Sequence, residues 1–274
     1  YHPDREVLSC SAYSLGVLSA PVVEKWGSIG EAAIVAIPHL LHLLDDPIAD
    51  VRATAVGALG QIASVPCLLE PVFDAAPKII ALLDDPNYIV RSSAVSAVRS
   101  SRSHAQSVLL KLIQLLYDPE WSVRMSSVHT IETLGNLAAD AVPHLIPLLE
   151  DNEHFLIRFD AATVLIKMGE SGKVAIPFVK AALEASLLGN DFSRTKAAIL
   201  LSQMGEEEIE LAIPHLISLL STPVFFRTWA VNALGNLGER ARIAIPDLML
   251  LLDHEDEYLR DAANSALSKV WYQS

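Results

Sequence analysis

One arginine recurs through this chain at nearly constant distance, and that recurrence leaves few folds open. It stands in Asp50-Val51-Arg52, Ile89-Val90-Arg91, Ser122-Val123-Arg124, Leu156-Ile157-Arg158, Phe192-Ser193-Arg194, Phe225-Phe226-Arg227 and Tyr258-Leu259-Arg260. The intervals are 39, 33, 34, 36, 33 and 33 residues. Three positions after each Arg comes a small residue: Ala55, Ala94, Ser127, Ala161, Ala197, Ala230 and Ala263. Seven positions after comes an aliphatic one: Leu59, Val98, Ile131, Leu165, Leu201, Leu234 and Leu267. Offsets of three and seven lie on one face of an α-helix. Four units carry Gly eleven positions after the Arg, at Gly135, Gly169, Gly205 and Gly238. Glycine adopts the left-handed conformation that closes a helix, so a helix from each Arg to its Gly is expected.

A second apolar segment precedes each Arg and usually contains proline: Ile37-Pro38, Ala76-Pro77, Val142-Pro143, Ile176-Pro177, Ile213-Pro214 and Ile245-Pro246, with Leu109-Leu110 in the third unit. Proline fits the first helical turn, where its missing N–H has no partner to lose. Asp140 is the expected N-cap of the fourth such helix, and Pro147 inside it should kink it. Acidic turns such as Asp45-Asp46-Pro47, Asp84-Asp85-Pro86 and Asp118-Pro119 join the two helices. No strand-like alternation interrupts the pattern. A helix pair every 33 to 39 residues predicts an all-α fold, an α-solenoid in which each pair buries its apolar face against its neighbours. The small residue three after the Arg is expected where neighbouring second helices approach to about 8–10 Å.

Seven helix pairs over residues 31–274 and an N-terminal half-repeat over 1–30 make one array of 1–274. In the half-repeat, Val7 to Gly16 aligns as a second helix with Leu8 in place of the Arg. The chain opens Tyr1-His2-Pro3 without a Met, as a piece of a longer protein would.

Composition narrows the function. The 274 residues are 51% hydrophobic, which excludes a disordered chain. The richest apolar stretch, Ala32 to Leu44, is broken by Pro38, His39 and His42 and falls short of a membrane span. Lys and Arg number 20 against 33 Asp and Glu, a net charge of −13. A binder of nucleic-acid backbone needs a basic footprint, so nucleic acid is not the expected partner. Two cysteines, Cys10 and Cys67, make neither a disulfide framework nor a metal set. With no signal-peptide pattern at the start, they point to a reducing, cytoplasmic compartment.

The pattern Asp-x-x-x-x-x-Val-Arg-x-x-Ala-x-x-Ala-Leu resembles the HEAT repeat. The stretch from Ala36 to Asp46 with Val51 to Gly60 is most similar to the bacterial variety named after phycobilisome (PBS) lyases. The resemblance covers about residues 30–274 and implies a right-handed superhelix. It also implies a structural ladder in which Arg52, Arg91, Arg124, Arg158, Arg194, Arg227 and Arg260 bond acidic turns nearby. An acid lies six or seven residues before five of them (Asp45 or Asp46, Asp84 or Asp85, Asp118, Asp151, Asp253). The planar guanidinium suits this by bonding a carboxylate twice. The fifth and sixth units, with Gly189-Asn190-Asp191 and Ser221-Thr222 there, should be irregular.

Positions two, five and nine after the Arg should line the concave groove of such a superhelix. They include Ser93, Ser96, Ser100, Ser126, His129, Thr133, Lys196, Trp229, Asn232 and Asn236. This face is polar and nearly uncharged, whereas a face built for solubility alone would be rich in Glu and Lys. Trp229 with Asn232 and Asn236 is its best anchor for a peptide or partner helix. A second candidate surface is the turn edge, where Tyr88, Trp121 and Phe155 stand three residues before the Arg in successive units, amid acids. The bland alternative is that each ring covers the end of its own helix pair.

No metal or other cofactor is expected. His39, His144 and His215 share one slot but belong to units too far apart to converge on an ion. No phosphate loop, nucleophile elbow or zinc helix occurs, so no catalytic residue is nominated. The leading expectation is a non-enzymatic scaffold binding a protein or peptide partner. A bilin lyase or isomerase subunit, acting with a second subunit, is the alternative that the resemblance implies; a regulatory module of a larger protein is another. The apolar last helix, with Ala266, Leu267, Val270, Trp271 and Tyr272, suggests homo-oligomeric contact through a terminal repeat.

Overall fold

The computed structural model describes residues 26–63, 76–99, 105–150, 154–185 and 191–272, and every regular element in them is helical. The half-repeat expected over 1–30 lies almost wholly outside these residues, as do Cys10, Cys67, Ser100 and Asp151. The chain divides into two compact units, Tyr1–Val164 and Leu165–Ser274.

The first unit holds α1 (Trp26–Leu43), α2 (Ala49–Ala63), α3 (Ala76–Ala81), α4 (Tyr88–Val98), α5 (Ala105–Leu115), α6 (Trp121–Leu134), α7 (Val142–Leu145) and most of α8 (Phe155–Lys167). The second holds α9 (Ile176–Ala185), α10 (Asp191–Leu201), α11 (Glu206–Leu219), α12 (Val224–Leu237), α13 (Ile245–Leu250) and α14 (Glu257–Tyr272). Each even-numbered helix contains one Arg of the repeat, and each odd-numbered helix is the apolar segment before it. The described chain is thus a series of helix pairs, the organisation of an α-solenoid.

Second helices lie side by side within each unit: α2 against α4 and α4 against α6, then α10 against α12 and α12 against α14. All seven small residues three after the Arg are wholly buried, and the aliphatics seven after are buried with them. Close approaches also occur at glycines eight residues after the Arg. A Cβ on Gly60 would stand 2.7 Å from the Ala97 Cα, and one on Gly235 would stand 2.8 Å from the Ala266 Cα. The small residue at the third position is packed in the core, and in two of the pairs a glycine eight after the Arg lets the neighbouring second helix come close.

The acidic turns lead into the second helices by one device. The Asp46, Asp85 and Asp118 Oδ1 atoms each accept the backbone N–H two residues on, at 2.8, 2.8 and 2.9 Å. Such Asx turns present the chain for helix initiation. Asn87 adds an N-cap, its Oδ1 accepting from the Ile89 N–H at 2.8 Å.

Several expectations need correction. Asp140 is not an N-cap: a 3₁₀ segment fills Gly135–Ala141, and Ala141 precedes α7 without a side-chain cap. Pro38 and Pro214 lie inside α1 and α11 rather than in a first turn, because those helices extend further back. Pro147 does break its segment, since α7 has four residues and Ile146–Glu150 continues as 3₁₀. Gly135 and Gly238 follow α6 and α12 with φ of 56° at both, but ψ of −130° and −133° places them outside the left-handed helical region, in space that side chains avoid. Gly205 has φ −72° and ψ 174°, so it is extended and precedes α11 instead of closing α10.

Candidate functional site

The arginine column is occupied by structure, which removes it as a row of anion-binding groups. Arg52 forks onto Asp85, with Nε donating to one oxygen at 2.8 Å and Nη2 to the other at 2.9 Å. Its Nη1 donates to the Asp46 carbonyl at 2.7 Å. Arg91 repeats the arrangement on Asp118, at 2.7 and 2.9 Å, and on the Asp85 carbonyl at 2.9 Å. Each acid thus receives the arginine of the preceding unit, while its backbone carbonyl receives the arginine of its own. Burial alone pushes the Asp85 carboxyl up. The hydrogen bonds from Arg52 and the Asn87 N–H, with the charges of Arg52 and Arg91, outweigh this and hold it below its ordinary range.

The later arginines add bonds to backbone carbonyls, and from Arg194 on other partners stand where the fork's acid would. Arg124 donates to the Asp118 and Pro119 carbonyls and Arg158 to the Leu149 carbonyl. Arg194 turns to Asp191 on its own helix at 2.7 Å. Arg227 bonds the Thr222 carbonyl and meets His254 Nε2 at 2.9 Å, and Arg260 bonds the His254 and Glu255 carbonyls. The rung of the last unit is therefore His254, six residues before Arg260, and not Asp253. His254 is an imperfect substitute for Asp. Its Nδ1 accepts from the Asp256 N–H while its Nε2 faces an arginine N–H. A neutral imidazole has one accepting nitrogen, so one of the two donors goes unmet.

A second set of rungs uses the residue just before each acceptor. Lys78 on α3 bonds Asp45 at 2.7 Å, Lys111 on α5 bonds Asp84, and His144 on α7 meets the Tyr117 hydroxyl at 3.2 Å. The paired acids are thereby split. Asp84 reaches the next first helix, and Asp85 accepts from the previous second helix. The histidine slot has ordinary uses as well: His39 Nδ1 lies 3.3 Å from the Val35 carbonyl of its own helix. Among the described residues no group of three or more His, Cys, Asp or Glu could hold a metal ion.

At the turn edge Tyr88, Trp121 and Phe155 are the first residues of α4, α6 and α8 and are half exposed. Trp121 stacks on His154, with centroids 4.7 Å apart and planes 22° from parallel. That ring covers the following turn, so the edge carries local packing as well as exposed aromatic surface.

Among the described residues, one cleft on the second-helix face of each unit stands out. In the first unit a cleft of about 400 Å³ lies between α2 and α4, with Gly57, Gly60, Gln61, Ser93, Ser96 and Arg99 among its walls. Several hydroxyls of this face serve their own helix. Ser96 donates to the Ser92 carbonyl, as Thr54 donates to Asp50 and Thr133 to Thr130. Ser92 and Ser126 join across α4 and α6 at 3.0 Å. A hydroxyl has one hydrogen to give, so Thr54, Ser96 and Thr133 meet a visitor as acceptors. His129 spans α6 and α8, its Nε2 3.0 Å from Asp160. Asp160 is buried in that pair rather than displayed on the face.

In the second unit a cleft of about 560 Å³ lies between α10 and α12, lined by Ile199, Ser202, Gln203, Trp229, Asn232, Ala233, Asn236 and Leu237. The expected anchor, Trp229 with Asn232 and Asn236, falls on one wall. Trp229 is half-buried within an aromatic group, 4.7 Å from the Phe225 centroid and 6.4 Å from that of Phe192. Lys196 stands 5.5 Å over the Phe192 ring. At the other end Lys269 of α14 donates to Asn236 Oδ1 at 3.1 Å. Positions two, five and nine found most of this wall. Ser202, Ala233 and Leu237 were missed, although their offsets of eight, six and ten place them at the margins of the same helical face.

The sequence matches the family described as HEAT repeats over residues 37–113 and 109–188, and the PBS lyase HEAT-like repeat over residues 226–254. The first two matches together span more than half of the chain. This protein belongs to the HEAT-repeat family. Nothing among the curated proteins matches it. Among solved structures it is similar to a crystal structure of an engineered protein at 20% identity and a TM-score of 0.58, covering 98% of this chain and 76% of that one. A second engineered protein aligns at 17% identity and a TM-score of 0.42, covering 85% of this chain and 96% of that one. At these identities the first likeness speaks to fold alone. HEAT repeats form helical scaffolds that generally serve protein interaction, and among the described residues no helix is long and apolar enough to cross a membrane.

Proposed function

We propose that this HEAT protein is a non-enzymatic scaffold that holds a peptide or protein partner against its second-helix face. The observation that carries the reading is the 560 Å³ cleft lined by Trp229, Asn232 and Asn236. It joins an aromatic surface to amides that can both donate and accept, the composition of a binding hot spot. The acid excess of the chain argues against a nucleic-acid backbone as the partner. Screening a peptide array with the wild-type protein, Trp229→Ala and Ser93→Glu/Ser96→Glu tests it. Sequences bound by the wild type and lost in a variant support the reading; an array without any such sequence refutes it.

The match of residues 226–254 to a PBS lyase HEAT-like repeat favours a second reading, a bilin lyase or isomerase subunit acting with another chain. Incubation with phycocyanobilin and a phycobiliprotein subunit tests it by absorbance. Absence of both bilin binding and colour transfer removes this reading. Contact between copies through the last pair is also proposed, but not on the residues first expected: Ala266, Leu267 and Val270 are buried in the core, so it rests on the exposure of Trp271 together with Leu250 and Tyr258. Light scattering after size exclusion gives the oligomeric state; a monomer at all concentrations overturns it.

A further inference from the structure

We infer that the occupant of the α10–α12 cleft is an acidic peptide segment in extended conformation, with an apolar side chain against Trp229 and a carboxylate side chain at the Asn236–Lys269 end. This rests on the reading of the second-helix face as a binding surface and specifies what it takes.

Lys269 fixes the amide of Asn236. An ammonium only donates, so the atom facing it at 3.1 Å is the amide oxygen. The Asn236 Nδ2 hydrogens are then left to donate, beside a positive charge. A fixed donor next to a cation selects an oxygen acceptor, best of all a carboxylate. The electrostatics of the face agree. In the second unit, positions two, five and nine after the arginines carry Lys167, Lys196 and Lys269 and no acid, in a chain whose net charge is −13. Lys196 places positive charge at the Trp229 end, over Phe192, and Lys269 places it at the other. Acid is concentrated elsewhere, as in Glu206, Glu207 and Glu208 at the start of α11.

The amides decide the conformation of the occupant. A helix satisfies its own backbone groups, so its flank would leave Asn232, Asn236 and Gln203 facing side chains only. An extended segment brings unpaired N–H and C=O groups to them. Asn232 and Asn236 are four apart on α12, which separates their Cβ atoms by about 5–6 Å. An extended chain presents the same edge about every 6.6 Å, close enough for both amides to bond one strand.

The test uses the full chain and a fluorescein-labelled decapeptide with one leucine and a glutamate on either side of it, glycine and serine elsewhere. It is compared with versions carrying Gln or Lys for Glu, with a backbone N-methylated version, and with one stapled into a helix. The Glu peptide should bind about tenfold more tightly than the Gln peptide, the gain expected from charge-assisted hydrogen bonds. Binding should weaken with salt, with N-methylation and in Lys269→Ala, and should survive in Lys269→Arg. Circular dichroism confirms that each variant is folded. Preference for the stapled helix or for the Lys peptide overturns this inference while leaving the surface a binding site. Failure of every peptide here, together with no array sequence sensitive to Trp229→Ala, overturns both.

Discussion

Arg52 and Asp85 lie 33 residues apart and share two parallel hydrogen bonds, at 2.8 and 2.9 Å. The side chains keep 14% and 5% of their exposure, so solvent screens this pair little. Arg52→Ala strands a buried carboxylate and should cost about 3–5 kcal/mol, read from urea unfolding. Because the folded Asp85 carboxyl is held below its usual range, its contribution is present above the ordinary carboxylate pKa and is lost as pH falls through the lower folded value. Acid unfolding should therefore begin below about pH 4. Arg52→Ala should flatten that dependence.

His254→Asp should stabilise the last helix pair. The carboxylate would accept from the Asp256 N–H and from Arg227 together, as Asp85 does from Asn87 and Arg52. A gain of about 1–2 kcal/mol is expected from a charge-assisted bond replacing an unmet donor. A drop in melting temperature would contradict the account of the imidazole.

Two glycines three residues apart should respond oppositely to alanine. Gly57 has nothing within 4 Å of an added Cβ, so Gly57→Ala should stabilise α2 by up to about 1 kcal/mol. Gly60→Ala would press on the Ala97 backbone and should destabilise by about 1–3 kcal/mol. Thermal melts of the two variants check the contrast.

The His129–Asp160 pair gives a pH dependence of the other sign. The hydrogen bond that His129 donates to Asp160 raises the His129 pKa; burial opposes it, and the charges of Asp160 and Glu132 add to the rise. Stabilisation is then full below the unfolded histidine value, about 6.5, and is lost as pH rises through the higher folded value. His129→Gln should remove this dependence, and the imidazole resonances should titrate above 6.5 in the wild type.

Asn87→Ala should cost about 1 kcal/mol by removing the cap on Ile89. Hydrogen exchange at the first turn of α4 locates the loss.

The pairing of helices was legible because Arg, small residue and aliphatic recur at helical offsets that burial alone enforces. The wall bearing Trp229, Asn232 and Asn236 followed from the same offsets. What was not legible depends on contacts between units of the repeat. The aromatic company of Trp229 comes partly from Phe192, 37 positions earlier, and the tie on Asn236 comes from Lys269, 33 positions later. Gly205 escaped because a glycine's identity does not state its φ, and Asp140 because an uncapped 3₁₀ segment also serves to start a helix. Asp253 was chosen over His254 by charge, whereas the fold selects by distance from Arg260.

The two-sided acids also tell where this chain can grow. An acceptor six residues before its arginine is read by the preceding unit, so an insertion between them would shift one rung against the other. Arg91 reaches Asp118 across 27 residues and Arg52 reaches Asp85 across 33, the six extra falling before the acid. In the first three units the segment from acid to arginine acts as a ruler of fixed length, six residues from Asp46, Asp85 and Asp118 to Arg52, Arg91 and Arg124, and there the variation in length falls between one second helix and the next first helix. A graft of foreign sequence in these units belongs there, ahead of the next first helix, where it leaves the stretch from acid to arginine intact.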